Sequence, residues 1–425
     1  MNLKTKSNHK HLNQIISLVT LSGALINIFL PLYLYHLGIN LINIGIIIAV
    51  TVVAQSITKM IAGSYVDSYN RKRVMLVGGI IMALANLSLV FFTSELFFMI
   101  RGAIGGIGWS IYHPAHLSYA WEISKKAQLA TYGAVRSIYR HLGVISAPIL
   151  GGAIIYFLGF KALFYTSFFI ALSYMYIIGL LTERKHANKI PSISEIVDNY
   201  RDIVITRGFG LLSIIKLIQS SFYLIWRTFI LIYLNTVVGY DFWQAGLIIM
   251  GTSLVMLPLQ LPVGRLSDRL HSKWLIIPGF FLIGAFIRFF FVFDHPLSYV
   301  LMYAGFELGT LLIYRPIYVR LAEMTPDEKH GEAVGIFDTL TWGLAAAALF
   351  YAGEFAELYS IYEVMMFLST SAIVVGIILI AFHRKLRWRY GNYLRRHHLM
   401  RLYTPIDQLV DQFPEISEGF KKTKL

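Results

Sequence analysis

Cysteine is absent from all 425 residues. That excludes disulfides, thiolate ligands and a cysteine nucleophile, and it leaves the redox compartment unmarked. Charge is scarce too. Only 14% of residues are charged, where a soluble domain carries about 25%. Acids are the scarcer sign, 23 against 37 Lys plus Arg. No glycine-rich loop suited to cradling a phosphate is present, which argues against direct drive by a nucleotide. No serine, cysteine or carboxylate pair is arranged for hydrolysis. The chain therefore reads as a non-enzyme, with no cofactor and no metal site expected.

What fills the space is apolar: 56% hydrophobic residues and a mean hydropathy of +0.62. A helix crosses the hydrocarbon with about 20 mostly apolar residues. Twelve such segments run at 14–36, 41–66, 73–93, 96–120, 130–157, 160–182, 208–236, 242–266, 273–293, 296–322, 331–357 and 361–384. Barrel strands would be short and alternating, so the fold expected is an all-α membrane protein with twelve transmembrane helices. The first segment has a basic flank, but it is longer than a signal core and Pro31 to His36 offers no small-residue cleavage site, so it is read as a retained helix.

A net charge of +14 raises nucleic acid as a partner, and its distribution answers against it. With the N-terminus inside, 28 of the 37 Lys plus Arg fall in the cytoplasmic loops and tails, one (Lys161) in an external loop, and eight within helices. That asymmetry obeys the positive-inside rule and predicts both termini in the cytoplasm. The longest internal polar stretch, 183–207, divides the chain into two six-helix bundles, 1–182 and 208–384. A basic tail follows at 385–425. Its arginines alternate with Trp388, Tyr390 and Tyr393, which suits anionic lipid headgroups.

The halves echo one another. GSYVDSYNRKR begins at Gly63 and GRLSDRLHSK at Gly264, so Gly63 and Gly264, and Asp67 and Asp268, lie 201 residues apart. The second copy has lost most of the basic cluster formed by Arg71, Lys72 and Arg73. A second pair of matching stretches leads from Glu122 to Arg136 and from Glu323 to Asp338.

These residues are where a resemblance becomes specific. The loop Gly63–Arg73 resembles the glycine–aspartate–basic motif of major facilitator superfamily (MFS) transporters, and the likeness extends over nearly the whole chain. Arg101 with Gly105 and Gly108 is similar to an arginine–glycine motif of proton-coupled members. Gly143, Pro148, Gly151 and Gly152 are similar to the fifth-helix motif of the antiporter branch, departing from it at Ala147. The resemblance implies a monomeric secondary transporter of the bacterial inner membrane working by alternating access. It also implies a conformational latch built from Gly63, Asp67, Arg71, Arg73, Glu122 and Asp268.

Charges inside the membrane are costly and generally face a cavity. Here they are mainly basic: Arg101, Arg136, Arg140, Lys216, Arg227, Arg288 and Arg315, against Glu307 and Asp338 and, near the outer ends, Glu354 and Glu357. By resemblance, segments 1, 4, 7 and 10 line the cavity. That singles out Asn27, Arg101, Lys216, Gln219, Arg227, Glu307 and Arg315 as substrate-binding residues. An excess of cations favours a small anionic substrate. Glu307 and Asp338, with His113, are the candidates for proton coupling, and Asp338 and Arg136 are placed to pair across the halves. His113 and His116 share a helix face around Pro114, open to a proton, substrate, metal or packing role. Taken together, the expectation is proton-coupled export of a small organic anion or zwitterion. Anion uptake or exchange, lipid flipping and a transporter-derived sensor or scaffold stand as alternatives.

Overall fold

Local signals in the sequence set where the helices begin and end. Asn70 accepts hydrogen bonds from the backbone N–H groups of Lys72 and Arg73 (3.1 and 3.3 Å) and so caps the helix after it. Pro296 opens another helix, whose second residue, Leu297, donates its N–H to His295 Nδ1 at 3.2 Å. Gly38 and Gly239 carry the turns after two further helices at φ 80° and 82°, a region open to glycine at little cost. These two turns are 201 residues apart, so the duplication reaches the backbone.

The computed structural model describes residues 3–66, 69–123, 129–182, 201–206, 208–270, 272–325 and 330–381. Among them the secondary structure is helical: α1 (Leu3–His36), α2 (Leu41–Val66), α3 (Arg71–Ser88) and α4 (Glu95–Ile123). Leu129–Leu180 follows, divided by Gly159 (φ 81°, ψ 174°) into α5 (129–158) and α6 (160–180). The chain continues with α7 (Phe209–Thr236), α8 (Phe242–Arg269), α9 (Lys273–Phe290), α10 (Pro296–Met324), α11 (His330–Leu358) and α12 (Ile361–Ala381). Nine helices among the described residues, with α5 and α6 taken as one, are long and apolar enough to cross a membrane. Met1–Ile380 forms one compact unit. The linker 183–200, Asp67, the side chains of Gly63 and Asp268, and the basic tail beyond residue 381 lie outside what is described.

Lipid is as apolar as leucine, so helices in a membrane are held by close packing rather than by water exclusion. Glycine supplies that closeness here, in matched sets. A Cβ on Gly78 would lie 2.7 Å from the Gly108 carbonyl oxygen, joining α3 to α4, and one on Gly279 would lie 2.8 Å from that of Gly309, joining α9 to α10. Between the halves, Gly45 abuts the Leu349 carbonyl while Gly246 abuts that of Pro148. Likewise Gly152 packs on the Phe242 carbonyl and Gly353 on that of Leu41. Every member of these sets has its counterpart 201 residues away. The α2/α11 and α5/α8 seams are therefore two copies of one interface.

The first half buries Leu12 and Ile15 of α1 with Met75 of α3, Tyr112 and Tyr119 of α4, and Tyr174 of α6. In the second half Trp226 of α7 is fully buried, stacked on Phe306 at 4.7 Å and edge-on to Phe290 at 5.1 Å. Large apolar side chains such as Phe157, Phe169 and Leu261 point outward, as a lipid-facing surface requires.

Candidate functional site

A cavity of about 660 Å³ lies between the halves. Residues from α1, α2, α4 and α5 form one wall and residues from α7, α10 and α11 the other. At the predicted outer face the halves meet closely. His36 hydrogen-bonds Asn235 at 3.0 Å, its ring packs on Phe242, and Phe160 packs on Phe242 from the side. The Leu41 N–H donates to the Glu357 carboxylate at 2.8 Å, which satisfies an orphan donor at the start of α2 and sets a negative charge where the helix dipole favours it.

Four cations line the cavity, Lys59, Arg101, Arg140 and Arg227, against two carboxylates, Glu307 and Asp338. Two of the cations are committed. Lys59 pairs with Asp338, which also accepts from the Tyr318 hydroxyl on its other oxygen. Arg101 is 6% exposed and braces α4 against α3, its Nε donating to the Ala85 carbonyl (3.1 Å) and its Nη2 to Asn86 Oδ1 (2.5 Å). Asn86 continues to Ser167 of α6 at 3.1 Å, and Ser167 bonds Ser22 of α1 at 2.9 Å. This chain of polar groups ties four helices together along the cavity wall.

Arg140 on α5, Arg227 on α7 and Glu307 on α10 all face the cavity, and none of them forms an ion pair among the described residues. Arg227 reaches only the Tyr223 hydroxyl, at 3.5 Å. Asn27 and Gln55 add neutral polar groups, and Trp109, Tyr303 and Trp342 add aromatic surface. His113 joins the lining, stacked on Trp109 at 5.1 Å. A cavity of this size, built from two halves with unpaired charges and aromatic faces, suits a small charged solute.

A match to the Major Facilitator Superfamily family model covers residues 15–350, with a second match at 222–392. This chain belongs to that superfamily. An uncharacterized MFS-type transporter of Methanocaldococcus jannaschii is 24% identical over 360 residues, covering 82% of this chain and 91% of the relative. Among solved structures, the nucleoside transporter NupG superposes with a TM-score of 0.74 at 14% identity, covering 87% of this chain and 99% of that one. A POT family transporter in complex with 5-aminolevulinic acid also gives 0.74, at 13% identity, covering 89% and 96%. Identities this low establish the shared fold alone. The chain is thus a multi-pass membrane transporter of the MFS class.

Of the residues expected at the substrate site of this superfamily member, Asn27, Arg101, Arg227 and Glu307 line the cavity, and so do Asp338 and His113. Three do not line it. Lys216 is fully buried behind the wall, donating to Gln219 Oε1 (2.7 Å) and Ser220 Oγ (2.9 Å), with its ammonium over the rings of Tyr314 (5.0 Å) and Trp342 (4.8 Å). Gln219 faces Lys216 and is buried with it. Arg315 turns away to Gln260 of α8 at 3.1 Å.

The expected pairing of Asp338 with Arg136 is not made, because Lys59 and Tyr318 occupy both carboxylate oxygens. His113 and His116 part company: His116 is fully buried with Nε2 3.4 Å from the Leu12 carbonyl, and among the described residues no group of three or more metal-ligating side chains forms. Arg71 forms an ion pair with Glu122 at 2.7 Å, joining the start of α3 to the end of α4. The fifth-helix motif divides its contacts: Gly143 and Gly151 pack on Ser17 and Phe29 of α1, while Gly152 and Pro148 meet Phe242 and Gly246 of α8.

Sequence reasoning missed Lys59, Tyr223, Tyr303 and Trp342 and left Arg140 out of the substrate set. Lys59 was the eighth cation within the helices, so the charge count held the signal. The aromatic residues had none, in a chain that is 15% aromatic.

Proposed function

We propose that this superfamily member is a secondary active transporter with twelve membrane crossings, six in each half, and both termini in the cytoplasm. It exports a small organic anion or zwitterion in exchange for protons. The observation that carries this reading is the trio Arg140, Arg227 and Glu307, which faces the cavity from both halves with no ion pair among the described residues. Charges left this way in a membrane cavity are costly, and a charged solute is the natural partner. Glu307 is the carboxylate free to exchange a proton as solute enters and leaves, since Asp338 is engaged by Lys59. The glycine–proline stretch of α5, wedged between α1 and α8, supports export over uptake. The Arg71–Glu122 pair supports a latch at the predicted inner face, in which Asp67 and Arg73 take part and Asp268 is the weaker second-half counterpart.

The test is flux in liposomes holding the purified protein, with candidate anions and an imposed pH gradient. Gradient-driven accumulation is expected, and Glu307→Gln should abolish it while leaving exchange of solute for solute. Flux indifferent to the gradient rejects proton coupling.

A further inference from the structure

Arg140 stands apart among the cavity cations. Lys59 is paired with Asp338, Arg101 is bonded to Ala85 and Asn86, and Arg227 leans on Tyr223. Arg140 has neither an ion pair nor a hydrogen bond among the described residues, and it is an exposed residue of the cavity lining. It belongs to the first half, and Arg227 belongs to the second. Arg227 touches the Tyr223 hydroxyl at 3.5 Å, and Arg140 lines the same cavity as both of them. One guanidinium side chain from each half thus lines the space between the halves.

We infer that Arg140 and Arg227 form a divided anion site that takes a doubly charged oxyanion bridging the two halves. Resting on the transporter reading above, this narrows its substrate to a dianion. The chemistry follows from the donors. Each guanidinium presents paired N–H groups that match the oxygens of a carboxylate or phosphate, which a lysine ammonium does not. Once Lys59 is offset by Asp338 and Arg101 is held against α3, the open cavity retains two cations and one carboxylate. A monoanion satisfies one arginine and leaves the other bare. A dianion engages both. Glu307, which lines the same cavity, limits how tightly the second charge is held. The bridge also bears on mechanism, because an anion held by both halves draws them together over it.

Equilibrium binding to the full-length protein in detergent tests this without transport or a proton gradient. The probes are succinate, inorganic phosphate and, as the monoanion, butyrate, at constant ionic strength. Succinate or phosphate should bind at least ten-fold tighter than butyrate, and the tighter of the two reports the spacing of the two charges. Arg140→Gln and Arg227→Gln should each weaken dianion binding ten-fold or more and level it with butyrate. Arg140→Lys should fall between. Arg288→Gln, whose arginine bonds Thr370 away from the cavity, should bind as the unaltered protein does. Arg140 has no hydrogen-bond or ion-pair partner among the described residues, so its variants should remain folded, which thermal unfolding checks. Dianions binding no better than butyrate, or Arg140→Gln binding within two-fold of the unaltered protein, overturns the divided site. That result, together with proton-driven flux of another solute, leaves the exporter reading standing. Intact dianion binding with flux blind to pH does the reverse.

Discussion

Lys59 of α2 and Asp338 of α11 form an ion pair across the boundary between the two halves, 279 residues apart in sequence. The Thr339 hydroxyl reinforces the contact by donating to the Ser56 carbonyl at 2.8 Å. The pair faces the cavity, and its two members sit on helices that must shift relative to one another if the halves rock. Asp338 is thus fastened to the opposite half by Lys59 and to its own half by Tyr318.

Removing one partner of a largely enclosed pair leaves the other charge uncompensated. Lys59→Gln and Asp338→Asn should each slow transport at least ten-fold, and the double variant should recover part of the loss. Lys59 keeps 31% side-chain exposure, which discounts the interaction, so a coupling of about 1 kcal/mol is expected from the four initial rates. The effects of Arg136→Gln and Asp338→Asn should simply add, because those two residues do not pair.

Lys216 has only neutral direct partners, yet it lies close enough to Asp338 to interact with it electrostatically. Both belong to the second half, so Lys216 stays with Asp338 when Lys59 moves off and can then serve as its counter-charge. Lys216→Met keeps the volume, removes a buried charge whose desolvation is worth several kcal/mol and gives up two ring contacts of about 1 kcal/mol each. The protein should unfold at an unchanged or higher temperature while transport slows. Full transport in Lys216→Met rejects the reserve role.

The matched glycines of the two seams should tolerate no side chain. A Cβ on Gly152 would lie 2.5 Å from the Phe242 carbonyl oxygen, and one on Gly246 would collide with that of Pro148. Backbone must shift to admit either, at about 1–3 kcal/mol each. Gly264 has nothing within 4 Å of the same position, although it is the glycine of the repeated loop motif. Thermal unfolding in detergent should show Gly152→Ala and Gly246→Ala destabilised and Gly264→Ala unchanged.

Arg101 makes two charged hydrogen bonds to α3, each worth about 1.5–3 kcal/mol. Arg101→Lys keeps the charge but cannot hold both acceptors at once, so it should lower stability by roughly one bond. Arg101→Gln should lower it further. An unchanged unfolding temperature in Arg101→Lys would free Arg101 from its bracing role and return it to the substrate set.

Composition, the apolar runs and the 201-residue echo determined, without coordinates, a helical membrane protein built by duplication, because backbone in lipid must bond internally and repeated halves repeat their turns. Gly63 and Gly264 carried that echo in the sequence, whereas the matched seam glycines Gly45 and Gly246, and Gly152 and Gly353, were recognised from their contacts. The tertiary structure decided which intramembrane charges share a cavity. Arg227 and Lys216 lie on one face of α7, three turns apart, yet Arg227 lines the cavity and Lys216 is buried against the rings of Tyr314 and Trp342. Periodicity cannot separate them because they share that face; what differs is which neighbouring helices cover each level, and only tertiary packing sets that. Arg140, Lys59 and Asp338 acquired their roles only when helices remote in sequence were brought against one another.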